Sequence, residues 1–114
     1  MGAALAALAV AECGGPQPVV LLSVAGTGNA GETIDSPSSR GWDMAWSYDC
    51  SKSGGRGVFV VDVYDAGRTP DFKHPGVSEE GDADSAVYHV PGAGRFYLDV
   101  TTTCAWTLRV VASA

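Results

Sequence analysis

Four carboxylates fall within six residues at Glu79-Glu80-Gly81-Asp82-Ala83-Asp84. Hard cations such as calcium take several oxygen ligands around a tight glycine turn, so Glu79, Glu80, Asp82 and Asp84 form a calcium candidate. Their spacing is not that of an EF-hand, and the competing reading is a solvated acidic loop, which is favoured. The two histidines are His74, in a loop rich in proline and lysine, and His89, in a strand-like run. Imidazole is the usual general base, and serine and aspartate are plentiful. No serine sits on a G-x-S-x-G turn, however, so nothing singles out a nucleophile. His89 reads as a surface or strand-edge histidine and as a candidate for ligand contact. Gly26-Thr27-Gly28-Asn29-Ala30-Gly31 has the letters of a phosphate-binding loop but not its context, because no helix pattern follows it.

Tyrosine and tryptophan faces stack on the apolar faces of sugars, and the chain has four tyrosines and three tryptophans. Trp42, Met44, Trp46, Tyr48 and Cys50 fall at every second position, while Asp43, Ala45, Ser47 and Asp49 fill the gaps. That period belongs to a half-buried β-strand with an aromatic inner face. Trp42, Trp46 and Trp106 all take the inner-face register, which assigns them to the core. Tyr97 lies opposite Phe96 and Leu98 and is the best exposed candidate for a ligand platform.

Short strands separated by Gly/Pro/Ser turns continue along the chain. Val19 to Ala25 is the first, and Glu32 to Ser36 is an edge strand ended by Pro37. The aromatic strand follows, then a loop from Ser51 to Gly57 and a strand from Val58 to Tyr64 with Phe59, Val61 and Val63 inward. An irregular segment runs from Asp65 to Asp84. Ser85 to Val90, Arg95 to Val100 and Ala105 to Val111 complete a set of about seven strands. The expected fold is all-β, a jelly-roll-like antiparallel sandwich over residues 19–112.

The N-terminal region differs in kind. Met1 to Val10 is small and apolar, too short for the roughly 20 residues of a membrane-spanning helix but suited to a signal peptide's apolar core. Val10-Ala11-Glu12-Cys13-Gly14-Gly15 resembles the cleavage site of bacterial lipoproteins, with Glu12 where that family carries Gly, Ala or Ser. The resemblance implies a signal-like segment over 1–13 with Cys13 lipidated, followed by a proline-containing tether over 14–18. Cys50 and Cys104 are then left as an even pair. A disulfide between them would close a loop of about 54 residues, worth about 4 kcal/mol in the chain-entropy model. Two buried free thiols are the alternative. Metal ligation has neither a Cys-x-x-Cys nor a paired-histidine spacing behind it.

A second resemblance lies at the other end. Gly94-Arg95-Phe96-Tyr97-Leu98-Asp99-Val100, a turn, and Trp106-Thr107-Leu108-Arg109-Val110 resemble the closing hairpin of bacterial pre-peptidase C-terminal and related CUB-like sandwiches. With the Trp-x-x-x-Trp-x-Tyr-x-Cys run, the chain is similar to small extracytoplasmic bacterial proteins. The resemblance implies a sandwich fold rather than an activity.

The formal net charge of −6 and pI near 4.5 argue against nucleic acid, which selects clustered Lys and Arg. Only Lys52 and Lys73 are lysines, and the five arginines are scattered. The expected function is a non-enzymatic extracytoplasmic binding or interaction module without a cofactor, contacting a membrane only through a lipid anchor. Its partner would be a protein or a cell-wall glycan. A small secreted hydrolase or inhibitor, with His89 or the acidic run at its site, is the alternative from another class. A phage or surface-decorating structural sandwich is a third.

Overall fold

A computed structural model describes residues 19–65 and 73–113. The lipidation candidate Cys13, the signal-like segment and the tether lie outside them. Eight strands make up the described chain: β1 (Val19–Thr27), β2 (Ala30–Ser36), β3 (Trp42–Asp49), β4 (Gly57–Asp65), β5 (Lys73–Gly81), β6 (Ala83–Val90), β7 (Gly94–Thr102) and β8 (Ala105–Ala112). They form two four-stranded antiparallel sheets, ordered β1-β8-β3-β6 and β2-β7-β4-β5. The first strand pairs with the last, the second with the seventh, the third with the sixth and the fourth with the fifth. This nesting is the jelly roll, as the short alternating strands suggest.

The count of seven strands is corrected to eight. The segment read as irregular up to Asp84 contains β5, which pairs with β4 from Gly57↔Gly81 to Tyr64↔Lys73. Pro75 and Gly76 hid it, being the usual marks of a loop. Both are tolerated because β5 is an edge strand with a register shift between Val61 and Val63 on its partner. The acidic run is therefore not one loop: Glu79 and Glu80 lie on β5, Asp84 lies on β6, and Asp82 makes the turn between the sheets.

The core follows from strand alternation. On β3 Trp42, Met44, Trp46 and Tyr48 are buried, and they meet Phe59, Val61 and Val63 of β4 and Phe96, Leu98 and Val100 of β7 across the sandwich. Tyr48 stacks on both Trp46 and Phe59, which meet each other at a tilt, with ring centroids 5.1–6.2 Å apart, and Trp42 meets Phe96 edge-on at 5.3 Å. The Trp106 indole N–H donates to the Gly28 carbonyl at 2.8 Å, so its polar atom is satisfied although the ring is buried.

Cys50 and Cys104 form a disulfide with Cα atoms 4.6 Å apart, both residues fully buried. It joins the end of β3 to the start of β8, closing one end of the sandwich. Gly57 lies against it: a Cβ there would stand 2.7 Å from Cys104 Sγ and 2.9 Å from Cys50 Sγ. Only glycine lets β4 start so close to the bridge.

Candidate functional site

The outer face of the β2-β7-β4-β5 sheet carries the most chemically distinctive surface among the described residues. Inward Phe96, Leu98 and Val100 force Tyr97 and Asp99 of β7 outward. Inward Val61 and Val63 do the same for Asp62 and Tyr64 of β4. Because β4 and β7 are neighbours in register, Tyr64 stands opposite Tyr97 and Asp62 opposite Asp99. The tyrosine rings lie 6.4 Å apart at 32° to each other, and Tyr97 is 39% exposed.

Tyr97 is laid down on β2. A Cβ at Gly31 would collide with its hydroxyl and come within 3.0 Å of its Cζ. The bare backbone of Gly31 is therefore the seat on which the ring rests, while Thr33 is its direct cross-strand neighbour. Arg95, two residues earlier, donates from Nε to Asp35 at 2.8 Å, and that bond holds its pKa above the ordinary value.

Asp62 and Asp99 thus form one acidic row across β4 and β7. Beyond it come Thr101 and Val60, then a hollow of about 460 Å³ bordered by Asn29, Val58, Thr101, Thr102 and Thr103. The face thus runs from paired rings through an acidic row to a largely apolar hollow with Thr101 and Thr103 at its border. With about 3.4 Å per strand residue, Tyr97 to Thr103 spans ~20 Å.

The other sequence candidates are elsewhere. His89 lies on β6, on the outer face of the opposite sheet, half exposed and hydrogen-bonded through Nδ1 to Asp43 at 2.8 Å. Tyr97 and His89 therefore belong to different faces and share no site. His74 is on β5 rather than in a loop; its Nε2 meets Asp65 at 2.9 Å and its ring lies 5.7 Å from that of Phe96. Neither histidine borders the hollows described, including one of about 250 Å³ beside Trp106 and Ser47.

The acidic run does not assemble as a metal site: among the described residues no group of three or more His, Cys, Asp or Glu side chains is placed to hold an ion. Its effect is felt by Tyr48 instead. Burial raises the pKa of this phenol, and the charges of Asp84, Glu79 and Asp82 raise it further, against a smaller lowering by Arg56.

Alternation alone places Tyr64 and Asp62 outward, so that signal was present in the sequence. What it lacks is the adjacency of β4 and β7, strands separated by two others in the chain.

The chain matches no protein-family model, and no curated protein is significantly similar to it. The disulfide is compatible with an extracytoplasmic location, where such bonds persist.

Proposed function

We propose that this chain is a non-enzymatic extracytoplasmic module that binds a neutral cell-wall glycan along the outer face of the β2-β7-β4-β5 sheet. The observation that carries the reading is the Tyr64–Tyr97 pair on this face, with Tyr97 exposed and Tyr64 partly buried, beside Asp99. In this reading the Tyr97 ring stacks on the apolar face of a sugar, as flat amphipathic rings do at low entropic cost. Asp99 accepts hydrogen bonds from sugar hydroxyls, and the exposed Thr101 and Thr103 serve the next units of an extended chain. Anionic polymers are disfavoured by the carboxylates and by the net charge of −6. Cleavage before Cys13 and lipidation of its sulfur would hold the module at a membrane.

Affinity electrophoresis against a panel of cell-wall polysaccharides tests the binding. Retardation by a neutral glycan is expected, weakened about tenfold or more in Tyr97→Ala and preserved in Tyr97→Phe. Retardation by no glycan, or equal retardation of Tyr97→Ala, refutes the proposal. Labelling with a radioactive fatty acid, lost in Cys13→Ser, tests the anchor; an unlabelled wild-type chain refutes it.

The seat of Tyr97 on Gly31 favours a second, structural reading in which the ring shields a bare glycine backbone. Under that reading Tyr97→Ala lowers thermal stability and the chain binds no glycan.

A further inference from the structure

Among the described residues the sandwich has four edge strands, β1 and β6 in one sheet and β2 and β5 in the other. An edge exposes a row of unpaired backbone N–H and C=O groups, and soluble proteins normally blunt it with bulges, proline, lysine or charge. β1 carries a register shift between Val20 and Leu22. β5 carries Pro75, Glu79, Glu80 and the irregularity opposite Val61 and Val63. β2 is the shortest strand and includes Gly31, Glu32 and Asp35. β6 has no such device along Ala-Asp-Ser-Ala-Val-Tyr-His-Val apart from Asp84 near one end, and it keeps unbroken register with β3 from Ala83 to Val90.

Two further features set β6 apart. Val87, on its outer face, is 66% exposed, the highest exposure of any large hydrophobic side chain among the described residues. Asp84 and Ala86 share the inward register of Tyr48 and Trp46, yet both are exposed. This part of β6 therefore projects past the cover of the opposing sheet as a ledge. The Tyr88 hydroxyl, accepting the Gly76 N–H at 2.9 Å, ties the two sheets together just behind it.

We infer that β6 pairs antiparallel with β6 of a second copy, joining two four-stranded sheets into one of eight strands. A second copy suits this edge because the strand is complementary to itself. With Ala86 on the two-fold axis, Ser85 faces Val87, Asp84 faces Tyr88 and Asp82 faces Val90, so no carboxylate meets another. A closed two-fold dimer also ends the assembly, whereas β6 pairing with the β1 edge of the next copy would propagate into a filament. The ledge leaves room for the approach, since the opposing sheet does not cover Asp84 and Ala86.

The dyad of an antiparallel strand pair stands perpendicular to the sheet, so both Tyr64–Tyr97 faces point to the same side of the dimer. One extended polymer or one cell wall could then be held twice, with the gain in avidity of a linked second site. This bivalency rests on the glycan reading; the pairing itself does not. The contact is small beside the roughly 1,600 Å² of a standard specific complex, so the dimer is weak and concentration-dependent. Both copies are acidic, so added salt tightens it.

Sedimentation velocity of the full chain over a concentration series tests the pairing, with glycan absent. A reversible monomer–dimer equilibrium is expected, weakened at least about tenfold by Ser85→Lys with Val87→Lys, since edge lysines oppose pairing. Val58→Lys, on the other sheet, leaves it unchanged. Hydrogen exchange on the wild-type chain reads the same contact without a variant, as amide protection across Ala83–Val90 that grows with concentration. A monomer at every concentration, an open-ended polymer, a dimer untouched by the β6 lysines or one lost with Val58→Lys overturns the inference. Absence of glycan retardation by the wild-type chain with its dimer intact would instead overturn the glycan reading alone.

Discussion

Replacing Gly57 by alanine should show how tightly the disulfide end is packed. The added Cβ would stand 2.7 Å from Cys104 Sγ and 2.9 Å from Cys50 Sγ, closer than real Cβ atoms approach other atoms. Both sulfurs belong to fully buried residues held in one bridge, so neither can swing aside as the end of a flexible chain could. Relief must come from moving β4, whose next inward residue, Phe59, is itself fully buried. Overpacking of this kind typically costs about 1–3 kcal/mol. The Gly57 backbone is not in the left-handed region, so the same substitution without a collision would stabilise by about 0.4–1 kcal/mol through the unfolded chain. Gly57→Ala should therefore destabilise the wild type by about 1–3 kcal/mol and reverse sign in a Cys50→Ala/Cys104→Ala background. Urea unfolding of the four proteins at low temperature, followed by tryptophan fluorescence, reads the cycle. An equal effect of Gly57→Ala in both backgrounds would refute the packing argument.

Trp46→Ala should cost about 3–5 kcal/mol, because it removes a buried ring packed against both Tyr48 and Phe59; chemical denaturation reads it, and an unchanged midpoint would reverse the register of β3. Tyr48 supplies a pH dependence. Its pKa is raised on folding above the ordinary 10.0, so its contribution is full below that value and is lost as pH rises through the raised one. Denaturation midpoints above pH 10.0 should therefore fall less in Tyr48→Phe than in the wild type, and parallel curves for the two would show that the phenol is not responsible.

The core was largely legible in the sequence. Trp42, Met44, Trp46 and Tyr48, then Phe59, Val61 and Val63, then Phe96, Leu98 and Val100 announce their inward faces by alternation, and all are buried. The candidate site was legible only in part. Tyr97 is outward as its register demands, but its companions come from β2 and β4, and no local pattern names those neighbours. β5 was missed because proline and glycine are loop signals in sequence, and what overrides them is an edge position that exists only after β4 has folded beside it.

What the sequence determined by itself is whatever depends on one strand at a time: the all-β class, which residues face inward, and the acidic, lysine-poor surface. A side chain's face follows from its position within its own strand, so twofold periodicity is enough. The tertiary structure decided which strands are neighbours. That put Tyr64 beside Tyr97 and Asp62 opposite Asp99, sent His89 to the other face, scattered the acidic run over two sheets, and left β6 as the undefended edge. Such pairings join residues tens of positions apart through backbone hydrogen bonds whose donors and acceptors are the same for nearly every residue type. They are chosen by how two whole sheets pack over a shared core, and no local stretch of sequence contains that information.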